Sequence, residues 1–175
     1  MGAHGLLFLP YLQGERCPHT DVSARGTFVG LGLSTTRGDI VRSVMEGVTL
    51  SLKDVLALLL DLGVEPERIH SSGGGSASAV WRQMQADVFG RPVTTLDHSE
   101  DASAIGAAIV AGVSQGCWAS VEAAATLIAA RTVDEPIPAN AARYAALFEI
   151  YRALYPALQA SYVNLRDFAT GVNQA

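Results

Sequence analysis

Ile69-His70-Ser71-Ser72-Gly73-Gly74-Gly75-Ser76-Ala77-Ser78-Ala79, running on to Phe89, is the stretch that decides the fold. A short strand-like run, 69–72, meets three consecutive glycines, and an apolar periodicity then predicts a helix over 79–89. Glycine reaches positive φ cheaply and carries no Cβ. A chain can therefore turn sharply from strand to helix here while a ligand approaches the backbone and the free N–H groups of the helix start. A nucleotide pocket and a plain tight turn are both compatible with this pattern. A dinucleotide-type reading is also open, with Gly73-x-Gly75 as the opening and Asp97, at the end of the next strand, as the ribose-binding acid. Against that reading, Ser78 stands where the third glycine belongs, and too few strand–helix units follow.

Working outward, Pro92-Val93-Thr94-Thr95-Leu96 reads as a strand. Upstream, a long helix is expected from about Asp39, which suits the positive end of the helix dipole, to a stop at Gly63. Its expected buried stripe is Ile40, Val44, Val48, Leu52, Val55 and Leu59, packed on a sheet. Gly5 to Leu12 and Thr27 to Leu31 read as short apolar strands separated by a polar loop over 13–26. Helices are expected over 102–113, 120–130 and 140–160, with Pro136 and Pro138 breaking the last two. The small-residue run Ala104-Ile105-Gly106-Ala107-Ala108 invites close helix packing, and Tyr144, Leu147, Ile150, Tyr151 and Leu154 form the stripe of the last helix. Alternation of strand and helix points to an α/β fold.

Composition narrows the function. The chain has 175 residues, 49% of them apolar and 17% charged, enough for a core and too few charges for disorder. Net charge is -5 and Lys53 is the sole lysine, so a basic face for nucleic acid is not expected. Cys17 and Cys117 form no metal-binding pair, and His4, His19, His70 and His98 share no ligand spacing, so no metal site is expected. The apolar N-terminal run is too short for a membrane span and lacks a signal peptide's basic start; a cytoplasmic protein is expected. Asp21, Asp87, Asp97 and Asp101 read as solvated or capping carboxylates, and His19 as a solvent-exposed loop residue. Glu15 and Arg16 suit either a loop ion pair or the edge of a cleft near a transferred phosphate.

Further motifs add a resemblance. Gly26-Thr27-Phe28-Val29-Gly30-Leu31, seven residues, then Asp39-Ile40-Val41-Arg42-Ser43-Val44-Met45-Glu46 resembles the C-terminal signature of the FGGY carbohydrate kinases. The loop Gly14-Glu15-Arg16-Cys17-Pro18 is most like that of the family's xylulokinase branch. Gly73-Gly74-Gly75 with Trp81-Arg82-Gln83-Met84-Gln85-Ala86-Asp87, and then Ala104 to Ala108, match as well.

The resemblance implies a partial ribonuclease-H-like domain of the actin-like ATPase superfamily with a helical C-terminal part. It makes 1–160 the nucleotide-binding C-terminal portion of a sugar kinase, without the N-terminal domain and the start of its own domain, and 161–175 a tail. ATP with Mg2+ is the implied cofactor. Gly74 would approach the phosphate and sugar region of the nucleotide, Gly73 and Gly75 would shape the turn, and Ser78 would stand near the purine, where some relatives carry Asn. The implied reaction is D-xylulose plus ATP giving D-xylulose 5-phosphate and ADP. No residue here matches the catalytic aspartate, so the chain alone is expected to be inactive. Ribulose, gluconate and glycerol kinases, or a non-catalytic nucleotide-binding or interaction module, are the alternatives. An edge strand at 6–9 left without partners favours a homo-oligomer.

Overall fold

The structure, a computed structural model, describes residues 1–171. They form two units: residues 1–65 with 139–171, and residues 66–138. In the first unit, β1 (Leu7–Leu9) pairs antiparallel with β2 (Thr27–Val29), Phe8 lying opposite Phe28. All three residues of β1 are buried. The helix α1 (Arg37–Asp61) packs against β1. Thr36 and Asp39 form a capping box: the Asp39 N–H donates to Thr36 Oγ1 at 3.2 Å and the Thr36 N–H to Asp39 Oδ2 at 2.9 Å. These bonds satisfy donors that have no partner inside the helix. At its other end the Gly63 N–H, at φ +78°, donates to Leu60 O, so Gly63 is the stop that was expected.

The buried face of α1 is not the expected one. Asp39, Ser43, Glu46, Gly47, Thr49, Leu50 and Asp54 are inside, whereas Ile40, Leu52 and Leu59 are 40–50% exposed. Polar burial is tolerated because nearly every group finds a partner. The Ser43 and Thr49 hydroxyls donate to carbonyls of their own helix. Glu46 Oε1 accepts from the Gly2 N–H, Arg42 Nε and the Tyr144 hydroxyl at 2.7–2.9 Å. Gly47 lets the β1 backbone come so close that a Cβ would overlap the carbonyl oxygen of Phe8.

The last helix, α5 in chain order (Pro138–Thr170), closes this unit with a seam of Tyr144, Phe148, Tyr151, Tyr155 and Tyr162. Each tyrosine hydroxyl meets a distant partner: Glu46, Tyr11, Asp21 and Thr27 in turn, at 2.7–3.4 Å. Ile150, expected in the stripe, is 57% exposed. The segment expected as a tail from 161 is helical as far as Thr170, with Tyr162 buried; 172–175 lie outside the described residues. His19 is half-buried rather than solvated, stacked 3.7 Å from the Tyr155 ring and 3.8 Å from Asp54 Oδ2.

The second unit is a three-stranded sheet in the order β3 (Ile69–Ser71), β4 (Val93–Leu96), β5 (Ala130–Asp134). β3 and β4 are parallel, joined through the glycines and α2 (Ala79–Phe89); β5 is antiparallel to β4. Between them come α3 (Ala102–Ser114) and α4 (Val121–Ala125). The helix expected over 120–130 is thus only five residues long, and β5 was not anticipated. No residue of α3 is buried, so the small-residue run packs on little beyond α4. Asp87, expected as a solvated or capping carboxylate, is buried, and its Oδ1 accepts from Gln83 Nε2 and the Ile137 N–H.

Candidate functional site

The glycine turn is built as its sequence suggests. Gly73 sits at φ +75°, ψ -168°, a region essentially closed to residues with a side chain. The next four residues, Gly74–Ala77, make a 3-10 turn, and Ser78 caps α2 by accepting the Trp81 N–H at 3.3 Å. The turn is tied down from below. The Gly73 N–H donates to Ser99 O, Gly73 O accepts from the Ser76 hydroxyl at 2.7 Å, and that hydroxyl lies 3.0 Å from Ser99 Oγ. Arg82, one turn into α2, donates to Ser76 O at 2.7 Å and to Asp134 Oδ2 at 2.9 Å, locking α2 to β5.

The glycines differ in what they do. A Cβ on Gly73 or Gly74 would meet nothing within 4 Å, so both present bare backbone to open space. A Cβ on Gly75 would stand 3.2 Å from the Trp81 ring, so Gly75 is there for packing. Gly73 and Gly74 border a cleft of about 520 Å3. That volume is within the range of small-molecule sites. Ser76, Ala77, Ala79 and Arg82 line its α2 side; Thr95, Ser99, Glu100, Arg131 and Thr132 line the side formed by β4, β5 and the turn after β4. The start of α2 brings its positive dipole end to this cleft, which suits an anionic ligand.

The other sequence candidates fall out differently. Ser78 is not part of the lining, although its hydroxyl proton remains available while its oxygen caps the helix. Asp97 lines a separate, largely apolar cavity of about 180 Å3 beneath α3, with His70, Leu96 and Ile105. The acid that the dinucleotide reading needs is thus outside the glycine-lined cleft, and that reading loses its partner. Glu15 and Arg16 belong to the first unit. Glu15 Oε1 accepts the N–H groups of Arg16 and Cys17 at 2.7 and 3.0 Å, so it orders its own loop instead of pairing with the exposed Arg16. Thr95, Glu100, Arg131 and Thr132 were missed. For the last two a strand signal was present in Arg131-Thr132-Val133, a β-prone run with two β-branched residues, although nothing in it marks the cleft.

Residues 1–115 match the family model described as "FGGY family of carbohydrate kinases, C-terminal domain". The chain is 41% identical over 156 residues to a xylulose kinase of Staphylococcus epidermidis, covering 89% of this chain and 31% of that protein. It is 34% identical over 172 residues to a gluconokinase of Bacillus subtilis, with 98% and 33% covered. Among solved structures it resembles a xylulose kinase from Lactobacillus acidophilus, with TM-score 0.81, 34% identity, and 94% of this chain and 33% of that one covered. A gluconate kinase from the same organism gives TM-score 0.80 at the same identity and coverage. The chain therefore spans about a third of the length of the relatives it matches. Its fold is a partial ribonuclease-H-like, actin-like α/β domain with a helical C-terminal part. With the signature, the glycine turn and these likenesses in agreement, the chain belongs to the FGGY family of carbohydrate kinases, of which it carries C-terminal domain sequence.

Proposed function

We propose that this chain is the ATP-binding portion of a sugar kinase that phosphorylates xylulose, and that Gly73, Gly74, Gly75 and Ser78 form its nucleotide site, with Gly73 and Gly74 facing the ligand, Gly75 shaping the turn and Ser78 standing at the purine end. The observation that carries the reading is the open, side-chain-free backbone of Gly73 and Gly74 on a cleft of about 520 Å3 at the start of α2. In this reading Gly74 lies against the phosphate and sugar region, and the free proton of the Ser78 hydroxyl serves the purine. Glu15 orders a loop that shapes the substrate cleft of the longer protein, with Arg16 left exposed on it. Among the described residues, no three His, Cys, Asp or Glu side chains are grouped to hold a metal, so Mg2+ would arrive as part of MgATP.

The C5 hydroxyl of D-xylulose would attack the γ-phosphorus, the bond to the β,γ-bridging oxygen would break, and ADP would leave. The hydroxyl proton would pass to an aspartate outside this chain. Such chemistry is driven by positioning and charge stabilisation, so a part that binds nucleotide without the rest is catalytically inert. Gluconate is the second sugar to test, because gluconokinase relatives match 95–98% of the chain. No helix among the described residues is long and apolar enough to cross a membrane, and the reading places the enzyme in the cytoplasm with a small-molecule sugar as its partner.

Calorimetric titration of the 175-residue chain with ATP and ADP tests the reading, with Gly74→Val as the variant that fills the open space. Binding by the parent and its loss in a folded Gly74→Val protein is the expected result. Absence of binding by the parent, or equal binding by the variant, overturns the assignment. Purified chain should form no ADP in a sugar-dependent manner; turnover at a rate typical of kinases would overturn its incompleteness.

A further inference from the structure

The wall of the cleft opposite the glycines carries an irregularity with a chemical purpose. Adjacent residues of a regular strand point to opposite faces, so neighbours do not line one surface. Arg131 and Thr132 nevertheless both line the cleft. The register explains it: Thr95 pairs with Thr132 and Leu96 with Ala130, so Arg131 is an extra residue with no counterpart on β4. A bulge of this kind re-aims a side chain, here towards the cleft.

Two groups in that wall are left unspent. The cleft contains two guanidinium groups, and Arg82 is already committed to Asp134 and Ser76 O. Arg131 has no hydrogen-bond or ion-pair partner among the described residues. Thr95 is 3% exposed, and its hydroxyl likewise has no hydrogen-bond partner among them. Its cross-strand neighbour Thr132 reaches Asp134 at 3.5 Å, so the lack is particular to Thr95. A buried hydroxyl without a partner is costly in a folded chain, and a ligand that completes it recovers the loss on binding. Glu100 shares the lining, which puts an anionic ligand group on the Arg131 side.

We propose that the bulged β4–β5 edge is the second half of the nucleotide site, with the Thr95 hydroxyl bonding a polar group of the adenosine moiety and Arg131 pairing with the phosphates. The assignment rests on the nucleotide reading of the glycine turn and adds contacts on strands which that reading does not use.

The test is calorimetry with ADP, AMP and adenosine on the parent, Gly74→Val, Thr95→Val and Arg131→Gln chains. Thr95→Val keeps the side-chain shape and should weaken all three ligands about fivefold, the worth of one neutral hydrogen bond. Arg131→Gln should weaken ADP about fivefold at low salt and AMP less, leave adenosine unchanged, and lose its effect as salt rises. Unliganded Thr95→Val should melt no lower than the parent, because an unpaired buried hydroxyl has been removed, and that separates a binding role from a structural one. Parent-like affinity in both strand variants, with loss only in Gly74→Val, overturns this inference and leaves the glycine site standing. Equal weakening of adenosine and ADP by Arg131→Gln overturns the phosphate contact. A parent that binds no nucleotide overturns both readings together.

Discussion

Gly47→Ala gives the sharpest test of how α1 meets β1. Alanine in a helix interior is ordinarily worth about 0.5–1 kcal/mol over glycine. At Gly47 the added methyl would stand 3.0 Å from the Phe8 carbonyl carbon, 3.2 Å from Phe8 Cβ, and overlap the Phe8 carbonyl oxygen. The obstacle is backbone, and it belongs to a strand whose three residues are all buried, so no side chain can swing aside. The helix must withdraw by about 1 Å, a gap that forfeits a quarter to a half of the dispersion contact along the seam. Overpacking of this kind costs about 1–3 kcal/mol, and the helix gain offsets about 0.5–1 kcal/mol of it, so the net expectation is a loss of about 1 kcal/mol. With a denaturant slope of about 1–3 kcal/mol per molar urea, the midpoint should fall by up to about 1 M. The assay is built into the chain: all five tyrosines lie in the first unit and both tryptophans in the second. Tyrosine near-UV circular dichroism therefore follows the unit in which the change is made. Gly38→Ala in the same helix is the control, since its Cβ meets only Thr36 Oγ1 at an ordinary 3.6 Å, and it should be neutral or gain up to about 1 kcal/mol. A Gly47→Ala protein as stable as that control would refute the close-approach argument.

Three further outcomes are expected. Gly73→Ala should destabilise by about 1–3 kcal/mol in thermal melts although its Cβ has room, because φ is +75°; Gly74→Ala, with room and no positive φ, should not. Burial holds the His19 imidazole below its ordinary pKa of 6.5 despite the opposing pull of Asp54. The unfolded chain therefore takes up the proton first, and stability present above pH 6.5 should decline as pH falls through the lowered folded-state value. His19→Gln should flatten that slope in urea titrations across pH 5–7; an unchanged slope would assign it to another group. Amide hydrogen exchange should be faster in α3, which has no buried residue, than in the middle of α1; equal protection would mean that α3 is covered by packing not seen here.

The elements that could be read from sequence were those with strong local signals. The helix over 79–89 ends where it was expected, because Ser78 caps it and Gly90 adopts the left-handed conformation at its end. The long helix was equally readable in extent, yet its inward face was misjudged. Apolar periodicity assigns burial by hydropathy, whereas α1 buries carboxylates and hydroxyls whose partners, such as Tyr144 for Glu46, lie 98 residues away. β5 escaped because the alanine-rich sequence before it reads as helix and masks the short β-prone run Arg131-Thr132-Val133 that pairs with β4. The glycine half of the candidate site was visible as a motif. The Thr95–Arg131 half was not, since a bulge is a property of two strands in register and leaves no mark on either alone.

The division of the chain has a consequence for the order in which it folds during synthesis. Residues 66–138 are contiguous, so that unit has its whole sequence in hand before α5 is translated. The first unit does not: Tyr11 waits for Tyr151 and Asp21 for Tyr155, contacts 140 and 134 residues apart. Closing such long loops costs little more than closing shorter ones, because the entropy grows only as the logarithm of length. The delay is set by the ribosome rather than by the equilibrium. Until Tyr162 emerges, β1 and the polar face of α1 stand without their tyrosine seam. A chain halted near residue 138 should therefore present a protease-resistant segment over 66–138 and a cleavable one over 1–65.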